Sequence, residues 1–300
     1  MKSKFLVGAI LVFLGAVFFA GKAILVRYNF IHYHADAVSL LALRMLFSAP
    51  FYLVILFFQN RKQEDVPKLS RKEWIWMLLI GLVGYYLASI FDFWGLSYVT
   101  AAIERIVLFI YPTIVVILSG IFLNKKIQKI QYVALVVTYI GVFIAFIPDL
   151  QIGMQKNVII GASLVFLSAF TYALYLMGSG EMIPRVGPQR FTCYAMLIST
   201  GMVVIHYWVS VGHGLFSLPM EVYGLSIVMA IFTTVIPSFM ISEGIRRIGS
   251  SNASIIGSIG PVATIVMASS FLGEEINVWQ VVGTLIVLGG VLMISWKGKK

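Results

Sequence analysis

Residues 95–133, GLSYVTAAIERIVLFIYPTIVVILSGIFLNKKIQKIQYV, align without a gap to residues 244–282, GIRRIGSSNASIIGSIGPVATIVMASSFLGEEINVWQVV. Residue i meets residue i + 149, so Gly95 falls on Gly244, Pro112 on Pro261, and Phe122-Leu123 on Phe271-Leu272. Ile127, Gln131 and Gly141 fall on Ile276, Gln280 and Gly290. Nearer the N-terminus, GAILVFLGAVFFA (8–20) meets GASLVFLSAFTYA (161–173) at an offset of 153. A fixed period over this much chain marks a duplicated unit, with expected halves at 1–148 and 149–300. Lys2 and Lys4 followed by an apolar run have the form of a signal peptide. The same run recurs in mid-chain, so it reads instead as the first helix of a repeat.

Of the 300 residues, 60% are hydrophobic and 11% charged, whereas a soluble domain is about 25% charged. A helix crosses the bilayer hydrocarbon in about 20 residues. Ten such segments are legible, at 5–26, 37–58, 74–96, 101–123, 130–147, 158–178, 191–211, 221–242, 252–272 and 278–296. Five per half is an odd number, so equivalent helices run in opposite directions. The expected fold class is an all-α membrane protein, ten transmembrane helices arranged as two inverted five-helix repeats. In such folds the binding site lies near the midplane between the repeats, and alternating access follows from one half rocking against the other.

The formal charge of +10 does not point to nucleic acid, because the bases fall in short runs between apolar segments. Cytoplasmic loops retain Lys and Arg. Apart from Arg27 and Lys156, and Lys22, Arg44 and Arg105 inside helices, all the Lys and Arg lie on the side of the N-terminus. Both termini are therefore expected in the cytoplasm, with the chain in the inner or plasma membrane. The equivalent loops NKKI and GEEI reverse sign, Lys125-Lys126 against Glu274-Glu275, as inverted topology predicts. The single cysteine, Cys193, excludes an intrachain disulfide.

With the tandem repeat, the small-residue-rich stretch GSSNASIIGSIGPVATIVMASSFLGEEI and the Gly-rich ending WQVVGTLIVLGGVLMIS, the chain resembles the drug/metabolite transporter superfamily, in particular its ten-helix EamA-type members. The resemblance spans essentially the whole chain. It implies a transporter of amino acids or other metabolites without sorting among them. Members often end the helix 4 loop in a Gly-Glu pair; here the loop is NKKI, and only the second copy keeps the common form.

An ionised group at the bilayer centre costs roughly 2.5 to 3.5 kcal/mol and persists mostly where it faces the bundle interior. Lys22, Arg44, Asp92, Glu104 and Arg105 are such groups, all in the first half. At 1.5 Å per residue, Arg44 lies roughly 10 Å and Glu104 about 5 Å below the outer edge, with Lys22 and Asp92 at comparable depth. Glu104 and Arg105 point about 100° apart, so separate partners are expected: Lys22 or Arg44 for Glu104, Asp92 for Arg105. The competing reading is that these side chains snorkel to the outer interface. Ala253 and Ser254 replace Glu104 and Arg105 in the second half, and Ser250, Ser254, Gly257 and Pro261 form a small-residue strip suited to close helix packing. The expected cavity is polar on one side and plain on the other. Tyr85, Tyr86, Trp94, Tyr111, Tyr172 and Tyr175 are candidates for its aromatic wall, and Trp74, Trp76, Trp279 and Trp296 for the interfacial belt. Pro112, Pro237 and Pro261 are expected to kink helices 4, 8 and 9 and to serve as hinges. Glu243, beside Arg246 and Arg247, reads as a loop charge, and His32 and His34 lack the further ligands of a metal site.

The chain carries no HExxH, GxSxG or Walker A sequence, so neither an enzyme nor an ATP-driven pump is expected. No cofactor is expected. The expected partners are a small-molecule substrate, the lipid bilayer and a coupling proton. The function expected is secondary export of a small polar or zwitterionic metabolite, foremost an amino acid, with Arg44 or Arg105 on the carboxylate and Glu104 on the amino group or a proton. The alternatives are drug, nucleoside or sugar export on the same fold, a receptor or scaffold, for which the loops are short, and a hydrolase built on Asp92 and Glu104.

Overall fold

In the computed structural model, described over residues 2–62, 69–99, 101–147, 157–272 and 276–297, ten helices account for nearly every position. They are α1 (Lys2–Tyr33), α2 (Ala37–Lys62), α3 (Arg71–Tyr98), α4 (Ala101–Leu108 continuing as Tyr111–Leu123), α5 (Lys129–Phe146), α6 (Val158–Val186), α7 (Pro188–Ser210), α8 (Met220–Ile248), α9 (Ser250–Ile256, then Gly257–Leu272) and α10 (Val278–Lys297). Eight are long and apolar enough to cross a membrane, and the shorter α5 and α10 complete the set. The chain is a multi-pass membrane protein. Several helices outrun their apolar cores: α1 reaches Tyr33 and α6 passes Pro184 to Val186. Among the charges invoked above, Lys68, Lys156, Glu274, Glu275, Lys299 and Lys300 lie outside the described residues.

Local chemistry sets the helix ends. Ser70 caps α3 in a reciprocal box: its hydroxyl accepts from the Glu73 N–H, and its own N–H donates to Glu73 Oε2. Gly187 and Gly249, at φ of 82° and 79°, supply the left-handed step that ends α6 and α8 and starts the next helix at once. Glu243, expected in a loop, is helical; its carboxylate accepts from Arg246 and Arg247 one turn on.

Helix interruptions recur at the repeat offset. A turn at Phe109 and Ile110 divides α4, and a 3₁₀ turn at Gly257–Ile259 divides α9. Proline lacks an N–H and its ring clashes with the carbonyl four residues back, and Pro112 and Pro261 follow these breaks within four residues. In α8 the π-helical turn Ile231–Val235 leads into Pro237. The matching π turn in α3, Leu82–Leu87, has no proline; Ala88 occupies the equivalent site, and its carbonyl accepts from Ser168 of α6 at 2.7 Å.

Packing repeats in the same way. α1 packs on α8 as α6 packs on α3, α1 on α9 as α6 on α4, while α5 pairs with α10 and α2 with α7. The contacts match residue by residue. A Cβ on Gly95 would meet Val165 and the Gly161 carbonyl; one on Gly244 would meet Val12 and the Gly8 carbonyl. Gly141 of α5 abuts Gly283 and Val287, and Gly290 of α10 abuts Ala134 and Thr138. Such glycines let two backbones touch where the hydrophobic effect gives no drive for helices to associate. Contacts that map onto themselves when the halves are exchanged are those of an isologous interface.

Candidate functional site

Between the halves, α1, α3, α4, α6, α8 and α9 enclose a cavity of about 70 Å³, room for about two water molecules at the roughly 30 Å³ each takes in the liquid. Its wall is asymmetric, as the sequence led one to expect. Lys22, Ser89, Arg105 and Tyr111 come from the first half, and Ser254, Gly257, Gly260 and Pro261 from the second. The strip on α9 does more than pack: Gly257 leaves space for the Tyr111 hydroxyl, which a Cβ there would meet at 2.6 Å, and that hydroxyl donates to the Ser254 carbonyl at 3.4 Å.

The five charged residues predicted inside the membrane come together. None snorkels: Lys22, Arg44, Asp92, Glu104 and Arg105 are all at most 4% exposed. Lys22 Nζ lies 2.5 Å from Asp92 Oδ2 and 5.2 Å from the Phe19 ring centre. Arg105 Nε lies 3.0 Å from Glu104 Oε2, so the neighbours pair with each other, contrary to expectation. The Cα–Cβ bonds do diverge, but a four-bond arginine side chain folds back across the 100° between them. That contact is an ion pair by distance without hydrogen-bond alignment, and the Arg105 guanidinium also donates to the Ala20 carbonyl at 3.3 Å. The carboxyl groups of Asp92 and Glu104 are themselves adjacent, joining the two pairs.

Arg44 stands one layer back. It donates to Ser89 Oγ at 2.9 Å and lies 5.0 Å from the Phe93 ring centre. Lys22 and Arg105 border the cavity, while Asp92, Glu104 and Arg44 sit behind them. Two of the three bases therefore face inward, with the acids and Arg44 behind them. Asp92 Oδ1, both Glu104 oxygens and Arg44 Nε have no hydrogen-bond partner among the described residues. Ser89, which joins Arg44 to the wall, and Ser168 escaped sequence reasoning, because a lone serine in an apolar helix has no periodic signal.

The aromatic wall is partly as expected. Tyr85, Tyr111 and Tyr172 line the cavity, and Tyr175 stacks behind, 6.0 Å from Tyr172 and 4.9 Å from Tyr85 between ring centres. Phe19 and Tyr172, equivalent residues of the two halves, stack face to face at 6.2 Å. Tyr86 and Trp94 belong elsewhere: both pack on His206 of α7, with Tyr86 Oη 3.1 Å from Nδ1. Consecutive residues of a helix point about 100° apart, and here Tyr85 turns inward while Tyr86 faces α7. Trp74, Trp76 and Trp279 are exposed, as a membrane belt requires.

Residues 6–147 and 159–296 each match the EamA-like transporter family. The chain is 31% identical over 294 residues to the uncharacterized transporter YcbK of Bacillus subtilis (strain 168), covering 96% of this chain and 91% of that one. It is 21% identical to the uncharacterized inner membrane transporter YicL of Salmonella typhimurium (strain LT2), over 98% and 96% of the two chains. A solved crystal structure superposes with a TM-score of 0.74 over 97% of both chains at 12% identity, a likeness of fold.

Proposed function

Because the chain belongs to the EamA-like transporter family, we propose that it is a secondary active transporter that exports a small zwitterionic metabolite, foremost an amino acid, by alternating access between two inverted halves. The buried mixed-sign cluster beside the central cavity carries this reading. Three bases stand with two acids, so with both acids ionised the cluster as a whole holds one excess positive charge, which a substrate carboxylate would balance. Lys22 and Arg105, which border the cavity, are the groups to receive it, with Arg44 holding the wall through Ser89. Glu104, behind Arg105, is placed to take the proton or the amino charge that exchanges for it. The aromatic wall offers an apolar surface to the rest of the solute. At about 70 Å³ the cavity is far below the roughly 300 Å³ of a ligand site, so loading requires the helices around it to part. The prevalence of Lys and Arg on the side of the N-terminus supports cytoplasmic termini in the cell membrane.

Glu104→Gln removes the charge while keeping the shape. A hydrogen bond to a charged group contributes about 1.5 to 3 kcal/mol, so uptake into inside-out proteoliposomes under a pH gradient should fall roughly 10- to 100-fold. An unchanged rate and pH profile would remove Glu104 from the mechanism.

A further inference from the structure

A second cavity, of about 210 Å³, lies where the last turn of α4 meets the first turn of α9. The two cavities are lined by successive residues of α9, Ser250 to Asn252 here and Ala253, Ser254 and Gly257 at the central one. We propose that this vestibule binds a small oxyanion, a carboxylate or phosphate group, outside the central site.

Two observations carry the proposal. Ser119 and Ser250 line the vestibule at 1% and 2% exposure, and neither hydroxyl has a hydrogen-bond partner among the described residues. A buried hydroxyl left unpaired is costly. Secondly, Lys125 and Lys126 also line the space. Asn124 places them there: its left-handed turn, at φ 51°, folds the chain back so that the Lys125 N–H reaches the Ser119 carbonyl at 3.1 Å. Lys125 is engaged by Glu181 of α6 at 2.5 Å, while Lys126 forms no ion pair among the described residues. Of the other polar side chains there, Gln131 and Asn252 satisfy each other at 3.0 Å, Asn252 also donates to the Ile248 carbonyl, and Ser251 is half-buried at the wall. Two buried, unpartnered hydroxyls and the exposed Lys126 ammonium at the mouth, with the Ser251 hydroxyl beside them, together suit an oxyanion. The volume is about seven times the roughly 30 Å³ of a liquid water, which accommodates such a group with part of its hydration.

Identifying this oxyanion with the acidic group of the transported solute rests on the transport reading above; binding itself does not. The test is thermal unfolding of the purified protein in detergent, titrated with sodium phosphate or sodium acetate against sodium chloride at equal ionic strength. Ligands that bind the folded state raise the midpoint in a saturable manner. Lys126→Gln should raise the half-saturating concentration about tenfold and Lys126→Arg should not, since one charge-assisted contact is lost or kept. Glu181→Gln, which frees Lys125 from an exposed pair of little stabilising effect, should lower it several-fold. Arg105→Ala should abolish transport and leave this binding intact, which separates failure of one reading from failure of the other. A response no larger than that of chloride, or one indifferent to both Lys126→Gln and Glu181→Gln, overturns the site. Repeating the phosphate titration in phosphatidylcholine nanodiscs with and without phosphatidylglycerol separates the sources: competition by the anionic lipid would make a headgroup the occupant and overturn the link to the solute.

Discussion

Asp92→Ala is expected to destabilise the purified protein by about 3 to 5 kcal/mol, because it leaves the Lys22 ammonium buried without its counter-ion. Both side chains are almost wholly buried and 2.5 Å apart, so little water is at hand to replace the carboxylate. Chemical unfolding in mixed micelles measures the loss. The double variant Lys22→Met/Asp92→Leu should recover most of it, since a buried pair exchanged for packed apolar groups is often neutral or stabilising. Closing the double-mutant cycle with the single variants Lys22→Met and Asp92→Leu gives the pair's coupling energy. Transport should stay impaired in the double variant, because Lys22 borders the cavity. A loss below about 1 kcal/mol for Asp92→Ala would mean that the pair behaves as a solvated one.

Gly283→Leu should break the seam between α5 and α10. A Cβ at Gly283 would lie 2.4 Å from the Gly141 carbonyl oxygen and 2.5 Å from the Ala145 nitrogen. These are backbone atoms, which cannot rotate aside, so the helices must separate. Overpacking a core costs about 1 to 3 kcal/mol and occasionally more, and this site should fall at or above the upper end. Gly289→Leu, six residues along the same helix where nothing lies within 4 Å, is the control and should leave the unfolding midpoint unchanged. Equal midpoints for the two variants would show that the seam tolerates separation.

The repeat and most of the fold were legible in the sequence because glycines needed for backbone contact leave little choice of residue. Gly95 with Gly244 and Gly141 with Gly290 align for that reason, and their surroundings match as closely as the residues do. Proline likewise announced the interruptions of α4, α8 and α9. The π turn in α3 had no such signal, since Ala88 stands where α8 has Pro237. Tyr86 was misplaced because neighbours on a helix point about 100° apart, so Tyr85 and Tyr86 cannot both face the cavity. The charge cluster was legible as a gathering of unlike charges at one depth. Its pairing was not, since helical periodicity gives the direction of a Cα–Cβ bond and not the reach of a flexible guanidinium. The vestibule was invisible too: Ser119 and Ser250 lie more than a hundred residues apart, and only the packing of α4 on α9 joins them.

The exchange-symmetric seams have an energetic corollary. An interface unchanged by swapping its two sides contributes equally to a conformation and to the one in which the halves have traded shapes, so it leaves those two states degenerate. Whatever splits that degeneracy resides where equivalent residues differ, foremost Asp92 against Ile241, Glu104 against Ala253 and Arg105 against Ser254. In the proposed transport cycle, a handful of side chains, with any solute or proton they hold, would then set the resting population. The bulk of the bundle acts as a balanced beam on which a few charges decide the tilt.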